Sequence, residues 1–156
     1  MNLLERLNDD MIKAAKARDS ERLGVIRFVR SKTKNRQIEL GRDLKNEDVI
    51  EVLVRIAKQH RESIEQFESG GRDDLVEHER GQLAVIEEYL PAQLGEQELL
   101  EILAEVIEET GADGPGDMGK VMKAMMPRIK GRADGKKVKS LVQSGLAGGG
   151  EDQDGQ

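Results

Sequence analysis

Eight basic residues, Lys120, Lys123, Arg128, Lys130, Arg132, Lys136, Lys137 and Lys139, crowd the stretch from Asp117 to Lys139, where Asp117 and Asp134 are the only acids. Cations at this density bind anions, phosphate above all. The chain as a whole carries a net charge of -6 over 156 residues, so the stretch is a local reversal of sign. Such an asymmetry marks a surface for an anionic partner, while the acidic total excludes a protein that coats nucleic acid indiscriminately. The eight residues are therefore the candidate nucleic-acid contacts, and DNA is not the expected ligand.

Other residue types with chemical potential point less far. Gly131 to Lys137, GRADGKK, imitates a phosphate loop, but it is one residue short, lacks the hydroxyl residue after the lysine and follows no strand, so no nucleotide site is expected. Its neighbourhood can still meet phosphate: Gly131 and Gly135 would let a backbone come close, although Asp134, as a helix cap, would already occupy the free amides. Arg27, Arg30 and Lys34 share a helix face, with Lys32 and Arg36 nearby. They form either a second phosphate contact or a solvated surface. His60 falls inside an apolar stripe between Ile56 and Ile64, where a packed imidazole is the ordinary outcome, and His78 lies between Glu77 and Glu79. Neither has a partner at metal-ligand spacing, and the serines lack the context of an activated nucleophile. No catalytic residue, cofactor or metal ion is expected. With no cysteine there is neither a disulfide framework nor a thiolate site.

The elements that must position these groups read as helices throughout. Charged residues make up 36% of the chain and apolar ones 37%, with two Phe, one Tyr and no Trp, so the core must be aliphatic. Leu4, Leu7, Met11 and Ala14 recur at helical spacing, and Leu23, Ile26 and Val29 follow after Asp19 and Ser20, both helix-start residues. Gly41 ends that second helix. Asn46 is expected to cap a third, with Val49, Val52, Leu53, Ile56, Ile64 and Phe67 as its stripe and Ser69-Gly70-Gly71 as its stop. A fourth runs from about Asp73 to Tyr89 and buries Val76, Leu83, Ile86 and Leu90, before Pro91 closes the first half. Beyond it, Leu99, Leu100, Leu103, Val106 and Ile107 form a stripe that stops at Thr110-Gly111. Met118, Val121, Met122, Met125, Met126 and Ile129 form the next, with an end or kink expected at Pro127. The methionines have the spacing of a core stripe; a groove adapting to a partner helix is the alternative. A last helix opened by Asp134 buries Val138, Leu141, Val142 and Leu146.

The expected architecture is all-α: a helical domain of about four helices over 1–91, a small three-helix domain over 92–147, and a disordered acidic tail over 148–156. Residues 1–61 hold fifteen basic and ten acidic residues, 62–113 two and sixteen, and 114–147 eight and two. The acidic belt between two basic ends reads as a solvated face. No window approaches a membrane span and the N-terminus lacks the pattern of a signal peptide, so a soluble cytoplasmic protein without a membrane partner is expected.

Several local runs together carry a resemblance: Lys58-Gln59, Glu62 to Phe67, Gly71-Arg72, Asp74-Leu75, Glu88-Tyr89-Leu90-Pro91, Gln93-Leu94, Asp117 to Met122, Met126-Pro127 and Lys130 to Gly135. On these the chain resembles the YqeY family, stand-alone relatives of the C-terminal tail domain of GatB, a subunit of the amidotransferase that corrects misacylated transfer RNA. The likeness covers residues 1 to about 147. It implies an accessory or adapter protein associated with transfer RNA, since in the amidotransferase the tail holds the RNA while the chemistry belongs to a larger cradle and a separate amidase. It also implies two alternatives. One is a protein-protein module docking on amidotransferase subunits, an aminoacyl-tRNA synthetase or another translation component. The other is a carbon-nitrogen ligase with glutamine as amido-N-donor, for which the sequence offers neither a nucleophile nor an ATP site. Gly95 departs from the family pattern, in which a serine usually caps the helix; a glycine cap costs only a few tenths of a kcal/mol. With Phe28, Phe67 and Tyr89 read as packing residues, RNA would be recognised by shape and phosphate rather than by base stacking.

Overall fold

The helix-start and helix-stop residues do most of the work of dividing this chain. In the computed structural model, which describes residues 1–154, with side chains described over 1–147, seven α-helices and no strand form among the described residues. They are α1 (Leu3–Lys16), α2 (Ser20–Leu40), α3 (Asn46–Ser69), α4 (Asp73–Glu87), α5 (Glu96–Thr110), α6 (Met118–Ile129) and α7 (Gly135–Asp154), with a short 3-10 turn at Pro115–Asp117. The expected unstructured tail, 148–156, is not set apart in the structure: the backbone of α7 runs on through 148–154, and 155–156 lie outside the described residues. Two compact units result, Met1–Pro91 and Ala92–Gln156.

Asp19 starts α2 by accepting the Arg22 amide at 3.1 Å, and Gly41 ends it in the left-handed conformation at φ 66°. Gly111 ends α5 in the same way at φ 67°. Asn46 does not cap α3. The cap position falls one residue earlier, at Lys45, whose amide donates to the Asp48 carboxylate at 2.8 Å, and Asn46 instead accepts the Leu3 amide, tying the start of α1 to the start of α3. Pro127 does not end α6 either. Lacking an N–H, it forfeits a single bond within the last turn, and the helix continues to Ile129, with the Lys130 amide bonded to the Met126 carbonyl at 3.0 Å.

The first unit buries Leu7 of α1, Val25, Ile26 and Val29 of α2, Val49, Leu53 and Ile56 of α3, and Ile86 of α4 in one aliphatic cluster. The Glu88-Tyr89-Leu90-Pro91 run closes it. Arg22 grips Glu88 through two hydrogen bonds at 2.6 and 3.0 Å, which holds the Glu88 carboxyl below its ordinary range. Tyr89 is buried with its hydroxyl donating to Asp10 at 2.5 Å, and burial first, then that carboxylate, pushes the phenol well above its usual range. Arg6 lies 4.6 Å from the Tyr89 ring centroid and donates to the Glu88 carbonyl. The four-residue signature is thus a clasp joining α4 to α1 and α2.

The second unit packs Leu99, Leu103 and Val106 of α5, Val121, Met125 and Ile129 of α6, and Val138, Val142 and Leu146 of α7. Leu100 departs from the expected stripe and is exposed, because one residue past Leu99 the helix has turned by about 100°.

One acid-sensitive contact follows from the α3 cap. Asp48, 8% exposed, accepts two bonds from Arg42 at 2.8 and 3.1 Å as well as the Lys45 amide, and the Arg42 guanidinium above all holds its carboxyl down to about 2. A carboxyl depressed on folding contributes stability that is complete above its unfolded value near 4 and is lost as pH falls toward 2. Urea titrations across that window should show the wild type losing stability more steeply than Asp48→Asn. Equal slopes would contradict the role given to this carboxylate.

Candidate nucleic-acid interface

The eight basic residues of the second unit do not form one patch. Successive helical residues turn by about 100°, so Lys120 and Lys123 lie roughly 60° apart on α6. Both are exposed and stand on the side away from Val121, Met125 and Ile129. Lys137 and Lys139, two apart on α7, diverge by about 160° and flank the buried Val138 from opposite sides. Arg128 pairs with Glu105 of α5 at 2.5 Å, an exposed bridge worth at most about 1 kcal/mol. Arg132, half-buried, donates from Nε to the Ala92 carbonyl at 3.3 Å. Lys130 and Lys136 are exposed, and each makes an interaction within the protein.

The loop between α6 and α7 is closed from within. Gly131 is buried at φ 75°, a left-handed conformation that favours glycine, and its carbonyl accepts from the Gln93 side chain at 2.8 Å. The Arg132 carbonyl accepts the Leu94 amide at 2.7 Å. Gly131 therefore serves a turn that docks on Gln93-Leu94 and does not open the backbone to a ligand. At the start of α7, the Lys136 amide donates to Asp134 Oδ1 at 3.2 Å, so the cap is taken, as the sequence suggested. What remains for an anion is side-chain charge.

That charge sits where folding disfavours it. Each of the first five helices places acids in its first turn: Glu5; Glu21; Glu47 and Asp48; Asp73 and Asp74; Glu96 and Glu98. α6 and α7 have none there and carry Lys120 and then Lys136 and Lys137 instead. A cation against the positive end of a helix dipole costs roughly 0.3–1 kcal/mol. The acids nearest these ends stand just ahead of them. Asp117 accepts the Asp113 amide at 3.1 Å, which holds its carboxyl below the ordinary range, and Asp134 is spent on the α7 cap.

The first unit contributes a second cationic region that the sequence only partly indicated. Lys32, Asn35 and Arg36 of α2 and Arg55 and Gln59 of α3 line a groove of about 250 Å³, with Glu39 on its rim and Val52 and Ile56 beneath. Arg36 pairs with Glu39 at 3.1 Å and lies 4.0 Å from Glu51, yet its Nε is buried without a hydrogen-bond partner among the described residues. Phe28 does not pack inward as expected: it is 45% exposed, with Lys32 Nζ 5.3 Å from its ring centroid. The inward positions of α2 are taken by Val25, Ile26, Val29 and Thr33, and residue 28 is turned away from them. His60 is largely buried against Glu79, with Nδ1 2.5 Å from the carboxylate, and His78 is exposed. Among the described residues no three His, Cys, Asp or Glu side chains stand close enough to hold a metal ion, and no helix is long and apolar enough to cross a membrane.

A family model described as Yqey-like protein matches residues 4–146. A curated relative from Pyrenophora tritici-repentis, named Altered inheritance of mitochondria protein 41, mitochondrial, is 30% identical over 145 residues, 90% of this chain and 79% of the relative. Proteins of the same name from Lachancea thermotolerans and Saccharomyces cerevisiae (strain YJM789) are 34% and 32% identical over 91 and 85 residues. These alignments take in 58% and 54% of this chain and 49% and 46% of the relatives, so the chain spans about half the length of those two proteins. All three names place the relatives in mitochondria, and this overturns the expectation of a purely cytoplasmic protein.

Proposed function

The chain belongs to the YqeY family, and on that premise we propose that it is a non-catalytic adapter that holds folded RNA, transfer RNA in the first place, through phosphate contacts from its second unit. The reading rests on the lysines at the starts of α6 and α7. Lys120, Lys136 and Lys137 occupy first-turn positions where the other helices carry acids, a placement that costs stability and that a solubilising surface does not require. The resemblance of residues 92–147 to the RNA-holding tail of the amidotransferase subunit supports transfer RNA as the ligand. A carbon-nitrogen ligase activity forms no part of the proposal.

The affinity of the purified protein for total transfer RNA, measured across a salt series, tests this. Three or four phosphate contacts give a log-log slope of about -2 to -4. Absence of binding at low salt would refute the adapter role. It would favour the second reading, a protein-docking module, which has an apolar foothold in Met126, 44% exposed on α6.

A further inference from the structure

The groove between α2 and α3 offers a different chemistry from the lysines of the second unit. Its lining recurs at helical spacing on both walls, Lys32, Asn35 and Arg36 on α2 facing Arg55 and Gln59 on α3. Three cations line the groove with one acid, Glu39, while Glu51 lies 4.0 Å from Arg36 beside it, and the Nε of Arg36 remains a buried donor without an acceptor among the described residues. Lys58, three residues past Arg55 on α3, is exposed beside the groove, whereas Arg27 and Lys34 stand on the far side of α2 from it. The floor is closed: Val52 and Ile56 are 6% and 3% exposed. An amphipathic peptide would therefore find charge but no apolar seat. The groups that face solvent are cations, the Glu39 carboxylate on the rim, two side-chain amides able to donate and accept, and beside Lys32 the open face of Phe28.

We propose that this groove is a second RNA contact, taking an unpaired nucleotide whose phosphate lies between Lys32, Arg36 and Arg55 and whose base stacks on Phe28. Cations supply attraction to the backbone, amides address the edge of the base, and the ring supplies a stacking plane, the combination by which single strands are held. A paired base cannot reach the ring, so the site selects loops and ends. It rests on the proposed function only in taking RNA as the ligand; its residues are separate from those of α6 and α7.

The chain has no tryptophan, so Phe28→Trp in the full-length protein places a unique fluorophore at the site. Titration with a short oligouridylate should quench that fluorescence in step with the anisotropy of labelled RNA, and a blunt RNA duplex should not quench it. Phe28→Ala should weaken oligouridylate binding roughly tenfold with far-UV circular dichroism unchanged, while Phe28→Tyr retains it. Lys32→Glu with Arg55→Glu should reduce the salt slope by about 1.4. The proposal is overturned if the oligomer does not bind at low salt, if it binds without quenching, if Phe28→Ala binds as well as the wild type, or if a polyglutamate peptide displaces it as effectively as unlabelled RNA. Repeating the titration with Lys120, Lys123 and Lys137 changed to glutamate separates the two ideas. Quenching that survives there supports the groove whatever happens to transfer RNA, and a loss confined to transfer RNA supports the adapter reading independently.

Discussion

Changing Lys120, Lys123 and Lys137 together to glutamate should lower the affinity for transfer RNA roughly a hundredfold at moderate salt and reduce the log-log salt slope by about two. The residues were chosen by what the structure gives them to do. All three are exposed on α6 and α7, and none is hydrogen-bonded as Arg128 is to Glu105 or Arg132 to the Ala92 carbonyl, although Lys120 attracts Asp117 electrostatically. Loss of binding would therefore not be confused with loss of fold. Two of the changes place an acid in the first turn of a helix that lacks one, which the helix dipole favours by about 0.3–1 kcal/mol each. The variant should be at least as helical and as resistant to urea as the wild type while binding far less RNA. Stability and binding would then move in opposite directions, the signature of residues kept for a ligand. Unchanged affinity at every salt concentration would sink the adapter reading. Lys137→Glu and Lys139→Glu, made singly, sharpen the result: these lysines flank α7 on opposite sides, so a specific RNA face requires unequal losses.

The helices and their caps were legible because their signals are local. Asp19, Gly41 and Gly111 act on backbone within a few residues of themselves, and the aliphatic stripes of α3 and α7 identify their own buried faces. Interactions far apart in sequence left no such trace. Gly131 and Arg132 looked available to a ligand until Gln93 and Leu94, 38 residues earlier, were found bonded to their carbonyls. Asn46 has the chemistry of a cap, but Asp48 with Arg42 behind it holds the Lys45 amide, and Asn46 is drawn to Leu3 instead. Phe28 misled for a related reason. An aromatic residue in a chain with so few is expected inside, yet its position on α2 is set by the smaller Val25, Ile26, Val29 and Thr33, which take the buried face. The charge of the basic segment could be read from the sequence, whereas its division into outward, paired and flanking residues depends on helix phase and on partners from α5 and the loop at Ala92.

Leu103→Ala should remove about 2–5 kcal/mol from the second unit. A unit spanning Ala92–Gln156 has a total stability of only roughly 3–10 kcal/mol at typical per-residue values, so a large share of it is at stake. Leu103 is 4% exposed on α5, and its Cδ2 lies where it would stand only 2.9 Å from a Cβ placed on Gly145 of α7. The absence of a side chain at 145 is thus what lets Leu103 approach, and alanine at 103 leaves that space empty. The pair can be tested as a cycle. Gly145→Ala alone gains up to about 1 kcal/mol of helix propensity but forces Leu103 to shift, so its net effect should be small or adverse. In the Leu103→Ala background the obstruction is gone, and the same substitution both fills the void and favours the helix, so it should recover part of the loss. Amide hydrogen exchange over α5, α6 and α7 reads the result directly: protection should collapse in Leu103→Ala and return in part in the double variant. If Gly145→Ala has the same effect in both backgrounds, the two residues do not share this contact and the packing of α5 on α7 must be held elsewhere.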